Sequence, residues 1–372
     1  MAHGLVTMFL CGDVMLGRGV DQILPHPGNP QLREGTVDDA RQYVRLAELT
    51  NGAISLPVSF SWPWGEALEV LDGCAPDGRV INLETSVTRS GDFSPGKAVH
   101  YRMNPANLPS LLAARPDTCA LANNHALDFG HIGLLETLDV LAGAGLRVIG
   151  AGRDVAGARQ PATVPVPGGG RIVVFSFGAA TSGIPPGWAA TATRPGVALL
   201  RSLSDSVADE LINRVRDVKR PGDVVVVSIH WGSNWGYEVD GDQVRFARRL
   251  IDGGVDVIHG HSSHHPRPIE VYRGKLVLYG CGDLIDDYEG IGGYDVFRDD
   301  LRLLYLVSVA PETGTLESLR MVPMQVRKMR LRHASTRDGE WLRDVLETIS
   351  GGFGCRVIRL PDAVLTVCWD QG

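Results

Sequence analysis

The chain has 372 residues, of which 44% are hydrophobic and 21% charged. That is the balance of a soluble globular protein large enough for a sizeable core, and it excludes disorder, collagen and coiled coil. Its 36 Lys+Arg against 43 Asp+Glu give a net charge of −7, and nothing reads as a basic block or an acidic tail, so no nucleic-acid partner is expected.

Apolar runs alternate with helical patterns along most of the length, the signature of an α/β fold. Leu5–Leu10 reads as a strand, and the irregular segment 22–64, with Pro25, Pro27, Pro30, Trp62 and Trp64, reads as a possible lid loop. Strands are predicted over Arg79–Leu83, Thr118–Leu121 and Leu146–Ile149, with a helix over Gly133–Ala144 between the last two. Arg171–Phe177 is a further strand, and the Gly-, Pro-, Ala- and Thr-rich stretch 178–196 after it reads as a second lid loop. The alternation continues with a helix over Ser204–Val218, a strand over Asp223–Ile229, a helix over Asp242–Ile251 and a strand over Val255–Ile258. Arg273-Gly274 predicts a hairpin between Ile269–Tyr272 and Lys275–Tyr279. Leu301–Val309 and Leu316–Val326 read as another antiparallel pair around Pro311–Gly314, and Glu340–Ile349 closes the pattern as a helix. The sheets are expected to be mixed, and residues 1–372 to form a single domain, because no linker, low-complexity tract or fixed-period repeat interrupts them.

The chemistry collects where strands end. Leu5–Leu10 runs into Cys11-Gly12-Asp13, Arg79–Leu83 into Glu84, Thr118–Leu121 into Asn123-Asn124-His125, Asp223–Ile229 into His230, and Val255–Ile258 into His259-Gly260-His261. Carboxyl ends of strands form the cleft of an α/β sheet, so these segments should converge. Seven of the eleven histidines lie in or beside three of these turns. With Asp, Glu and the Asn carbonyl they make the oxygen and nitrogen donor set of a divalent cation. Asp13, Glu84, Asn124 and His261 are the expected metal ligands. His125, Asp128, His230, His264, His265 and Asp283 are the expected catalytic groups, with only one of the adjacent His264 and His265 reaching the ion. His259 reads equally as structural or catalytic, and His131 as a helix-surface residue.

Two patterns read as decoys. Gly91-Asp92-Phe93-Ser94-Pro95-Gly96-Lys97 matches GxxxxGK, but Ala98 replaces the required Ser/Thr and no strand leads into it. Cys-Gly-Asp occurs at Cys11 and again at Cys281; this suggests a two-thiol racemase less than two small packing groups beside glycines, with Asp283 as a functional carboxylate.

Gly12-Asp13-Val14-Met15-Leu16-Gly17-Arg18, Asn82-Leu83-Glu84, Ala122-Asn123-Asn124-His125 with Asp128, His230-Trp231-Gly232 and Gly260-His261-Ser262-Ser263-His264 resemble the successive motifs of the CapA proteins. That family is associated with poly-γ-glutamate capsule synthesis and belongs to the calcineurin-like metallophosphatase superfamily. The resemblance runs over about residues 5–310 and implies two mixed β-sheets sandwiched between helices, with a metal at the strand ends. The departures are specific. Dinuclear members open with DxH where this chain has Asp13-Val14-Met15, their GDxxD bridge is Asn82-Leu83-Glu84 here, and the last motif reads HxxH. A single ion with oxygen ligands, leaving histidines for proton transfer, becomes the favoured arrangement.

Three functions compete: hydrolysis of a phosphoester or amide, proton transfer at a carbon beside a carbonyl, and a non-catalytic role in polymer synthesis. The chain is also similar to the lasso-peptide epimerases, CapA relatives that invert a C-terminal residue. The expectation placed first is metal-dependent peptide epimerisation by two-base catalysis, and the alternative is a metal-dependent phosphoesterase or amide hydrolase. A divalent ion (Ca, Mn, Mg or Zn) is the expected cofactor, with no organic cofactor, since none of the four lysines stands in a Schiff-base setting. A peptide is the expected partner. Without a targeting segment or a run near ~18 apolar residues, and with six cysteines that form no CxxC, the chain is expected to be cytoplasmic and off the membrane.

Overall fold

The computed structural model describes residues 4–369. Two mixed sheets pack face to face, with helices on both outer faces. The elements are β1 (Val6–Val14), α1 (Arg18–Ile23), α2 (Arg41–Asn51), α3 (Ala67–Cys74), β2 (Gly78–Leu83), β3 (Thr118–Ala120), α4 (Gly130–Gly143), β4 (Arg147–Ile149), β5 (Arg171–Ala179), α5 (Asp205–Val218) and β6 (Val224–His230). They continue with α6 (Gly241–Asp252), β7 (Val257–His261), β8 (Ile269–Tyr272), β9 (Lys275–Leu278), β10 (Asp283–Ile285), β11 (Leu301–Ala310), β12 (Thr315–Val326), α7 (Thr336–Ser350), β13 (Cys355–Arg359) and β14 (Leu365–Trp369). The first sheet runs β13-β14-β12-β11-β1-β2-β3-β4, with β10 beside the end of β1; the second runs β5-β6-β7-β9-β8.

Alternation along β1 explains the layering. Met8 and Leu10 face the second sheet, where they meet Val174, Val226 and Leu276, while Phe9 and Cys11 face the helices on the other side. On the outer face of the second sheet, α5 buries Ala208, Leu211, Ile212 and Val215 at helical spacing, and α6 buries Phe246, Ala247, Leu250 and Ile251. Each of these side chains other than the alanines contributes about 1.5–3 kcal/mol of burial.

The segment 22–64, expected to be irregular, is in part regular structure. It contains α2, and Leu32, Tyr43, Val44, Ala47 and Trp64 enter the core. The stretch 178–196 holds two single-turn helices, buries Trp188, and pairs Gly196–Val197 with Ala151–Gly152. The strand expected at Val255–Ile258 starts later and carries His259 and His261 inside it. The hairpin β13-β14 and the short β10 have no counterpart in the sequence pattern, being three to five residues long.

Candidate functional site

A break in pairing aims the first ligand. In the β1-β2 ladder Leu10 faces Val80 but Asp13 faces Asn82, so β1 holds one extra residue, a bulge that re-aims the side chains beyond it. The bulge includes Gly12, where a Cβ would stand 1.5 Å from the Gly282 carbonyl; only glycine fits. That approach brings the two Cys-Gly-Asp tripeptides side by side: Asp13 N–H donates to Gly282 O at 3.0 Å, and Asp13 pairs with Asp283 across the parallel β1-β10 ladder.

Around these two carboxylates the other strand ends close in. Asn82 Nδ2 donates to Asp13 Oδ1 at 2.7 Å and to Glu84 Oε2 at 3.1 Å, and is itself held by Asn123. The adjacent ends of β6 and β7 place His230 Nδ1 and His261 Nδ1 2.8 Å apart. His261 Nε2 meets Ser228 Oγ at 2.8 Å, His230 Nε2 meets Asn124 Oδ1 at 3.2 Å, and His261 Nδ1 lies 3.9 Å from Asp13 Oδ1. On the opposite side His264 Nδ1 meets Asp283 Oδ1 at 2.9 Å and its Nε2 accepts from Asn234 Nδ2 at 3.0 Å.

The electrostatics call for a cation. Burial, then Glu84 and Asp283, raises the Asp13 carboxyl well above its ordinary value, and burial foremost pushes Glu84 up to about 8. His230 and His261 are driven well below the ordinary imidazole value by burial, which keeps a lone pair on each ring. Asp13 Oδ2 and Asp283 Oδ2 are buried without a hydrogen-bond partner, a costly condition that an ion relieves. Two triads offer ligand atoms within 4.8 Å of one another, Asp13-His230-His261 and Asp13-His264-Asp283. The oxygen and nitrogen donors fit a divalent cation. Asp13 belongs to both triads and is the donor common to the two candidate metal positions.

A second cluster adjoins the first. His125 Nδ1 lies 2.7 Å from Asp128 Oδ2, and its Nε2 faces Glu84 Oε1 at 3.7 Å. The Tyr101 N–H donates to Asp128 Oδ2 at 2.6 Å, and the Lys97 ammonium contacts Asp128, the Asn124 carbonyl and His125 Nδ1. Burial opposes ionisation of Asp128, but His125 and Lys97 outweigh it and hold the carboxyl below its usual range. With Asp128 ionised we assign the His125 Nδ1 hydrogen to it, leaving Nε2 as the reactive nitrogen. Burial lowers His125 itself to about 4.

The model of the family described as bacterial capsule synthesis protein PGA_cap matches residues 7–288. The chain belongs to the PGA_cap family. A probable polyglutamine synthesis accessory protein of Mycobacterium tuberculosis is 57% identical over 98% of this chain and 96% of its own length. The PGA biosynthesis protein CapA of Bacillus subtilis is 27% identical over 79% of this chain and 66% of its own. Of solved structures, a 5'-nucleotidase precursor from Thermus thermophilus has a TM-score of 0.48 at 16% identity, covering 94% of this chain and 59% of that one. A Mycoplasma pneumoniae phosphatase has a TM-score of 0.46 at 10% identity over 87% and 94%; neither likeness is strong enough to speak to chemistry. Two mixed sheets between helices are the architecture that the motif resemblance implied. Among the described residues no helix is long and apolar enough to cross a membrane.

Of the residues singled out in the sequence, Asp13, Glu84, Asn124, His125, Asp128, His230, His261, His264 and Asp283 come together. His265 does not. Its ring stacks on Phe297 at 4.5 Å and abuts Tyr237, and its Nδ1 meets the Pro266 carbonyl; adjacent residues of this backbone face opposite ways. His259 is structural, its Nε2 donating to the Cys11 carbonyl at 2.7 Å. Met15 is buried beneath the Tyr288 hydroxyl. Lys97 was missed because its only sequence signal belonged to a spurious GxxxxGK match. Asn82 and Asn123, which orient the carboxylates, carry no signal beyond their adjacency to Glu84 and Asn124. Arg18 lies over Tyr43 at 3.7 Å and is fully engaged by Asp287 and Glu34, so it braces the site without entering it.

Proposed function

We propose that the chain is a metal-dependent hydrolase that cuts an amide bond in a poly-γ-glutamate chain or a related acidic peptide, in the polymer synthesis after which its relatives are named. The observation that carries this reading is the Asp13 carboxylate common to two ligand triads, since paired ions on a shared carboxylate suit hydrolytic displacement. Asp13, His230, His261, His264 and Asp283 would hold the ions, with Glu84 and Asn124 beside them. Bound there, divalent cations supply Lewis acidity toward the scissile carbonyl. Asp128 orients His125 so that the lone pair on Nε2 points into the cleft beside Glu84, where it can take a proton from the attacking water and pass that proton to the leaving amine. Lys97 and the Tyr101 N–H keep Asp128 ionised for that task. Burial of the whole cluster excludes bulk water and strengthens each of these interactions.

One observation favours a second reading, Cα epimerisation: His125 and His264 each sit on a carboxylate of their own, at 2.7 and 2.9 Å, as a two-base inversion requires. Metal-stripped protein should be reloaded with Mn2+ or Zn2+ and incubated with oligo-γ-glutamate in deuterated water. The hydrolase reading expects new amino termini that depend on the ion and vanish in Asp13→Asn. Deuterium at Cα without chain shortening would replace it by epimerisation, and phosphate release from an aryl phosphate without new amines would replace it by a phosphoesterase.

A further inference from the structure

Strand β13 keeps a simple alternation until its last residue. Cys355 and Val357 point inward and are buried, Arg356 and Ile358 point outward and are exposed, and the next inward position is Arg359. A cation stands where the pattern calls for an apolar side chain, and departures of that kind cluster at functional sites. The Arg359 guanidinium has no hydrogen-bond or ion-pair partner among the described residues, and its Nε is buried. A buried donor left unmade is costly, so this one needs an acceptor that the chain itself does not supply.

Arg359 lines a cavity of about 320 Å3, which opens where α3, β11, β12, the start of α7 and the β13-β14 turn meet. Its floor is apolar, made by Val70, Leu306, Val322 and Val364, which pack into the core. A concave site of this size, with apolar walls and few polar groups, has the proportions of a small-molecule site. The only carboxylate among the described lining residues, Asp362, is paired with Arg320 at 2.7 Å, which leaves Arg359 as the unmatched charge. No lining residue belongs to the metal site. Leu306 pairs with Phe9, four residues before Asp13, a distance of about 13 Å along β1.

We propose that this cavity is a second binding site, for a medium-chain alkyl carboxylate. The apolar floor takes the hydrocarbon, and the fork of the Arg359 guanidinium takes the carboxylate, whose two oxygens match it. At ~30 Å3 per water-sized group the cavity holds about ten heavy atoms, the size of octanoate. The site is separate from the metal cleft and independent of the reaction proposed there.

Cys74, the exposed last residue of α3, lines the cavity, whereas the other exposed thiol, Cys368, does not. The test uses that difference. With octanoate added in increasing amounts to the full chain, the rate of iodoacetamide labelling, read by mass spectrometry, should fall at Cys74 and stay constant at Cys368. Hexanoate, two methylenes shorter, should bind roughly tenfold more weakly. Arg359→Gln should bind octanoate roughly fivefold more weakly, as loss of one partly exposed ion pair implies. Octan-1-ol carries no charge for the guanidinium to meet, so it should bind wild type and Arg359→Gln alike. The readout needs no turnover, and Asp13→Asn should show the same protection, so this site and the hydrolase reading fail separately. Absence of protection at Cys74 would overturn the proposal, as would equal slowing at Cys368, the mark of general detergent action. So would equal octanoate affinity in wild type and Arg359→Gln, or equal protection by acetate, which would mark a small-anion site.

Discussion

Replacing Asp13 by Asn should stabilise the metal-free protein and abolish its stabilisation by metal. Asp13, Glu84 and Asp283 are each no more than 2% exposed, and without a cation they crowd like charges into a site that water does not reach. Glu84 is pushed from 4.5 to about 8, by burial first. A carboxyl raised in the folded state binds a proton that the unfolded chain releases, so its stability contribution is present below the unfolded value and is lost as pH rises toward 8. At pH 7 the shift corresponds to about 3 kcal/mol of destabilisation in the metal-free chain. Asparagine keeps the shape of Asp13 and removes one charge, which should recover about 1–2 kcal/mol. With an unfolding entropy of about 2.1 cal/mol/K per residue, that is a rise of about 2 °C in Tm for a chain of this length. In the wild type, Mn2+ at a hundred times its Kd should add about 2.7 kcal/mol, or about 3 °C; in Asp13→Asn it should add almost nothing. Calorimetry at pH 7 after chelation and dialysis, with and without added ion, measures all four states. A metal-free Asp13→Asn that melts below the metal-free wild type, or an equal metal shift in both proteins, would refute the charge-crowding argument.

Further tests address other parts of the site. His125→Ala and Asp128→Asn should each lower kcat by about 10²–10⁴-fold while far-ultraviolet circular dichroism stays unchanged; full activity in a folded variant would remove the proton-transfer role. Gly12→Ala should fail to accumulate as folded protein, because its Cβ would lie 1.5 Å from the Gly282 oxygen; a soluble, metal-binding variant would show that the bulge can relax. Iodoacetamide on the native protein at pH 8 should label only Cys74 and Cys368, the two exposed thiols. Burial raises Cys119 to about 12 and Cys355 to about 11, and drives Cys11 and Cys281 well above the ordinary value, so rapid labelling of either Cys11 or Cys281 with loss of activity would revive a two-thiol mechanism.

The layers and most of the site are legible in the sequence, because they are written in local patterns. Alternation in Leu5–Leu10 and the valine run of β6 mark buried strands, and the spacing of Leu211, Ile212 and Val215 marks a helix face. Polar groups that interrupt such runs, Asp13, Asn124, His230 and His261, must lie where the strands end and backbone pairing no longer hides them. The repeated Cys-Gly-Asp held more than its local reading. It accompanies the adjacency of two carboxylates contributed from distant parts of the chain, and adjacency of that kind is a property of β10 lying against β1. Tertiary structure alone decided that Asp283 shares a site with Asp13, that His264 faces it while His265 turns into an aromatic cluster, and that Lys97 reaches Asp128. The physical reason is the same in each case: periodicity reports which face of an element a side chain occupies, whereas ligation and proton transfer depend on distances between elements, set by how the two sheets and their bulges pack.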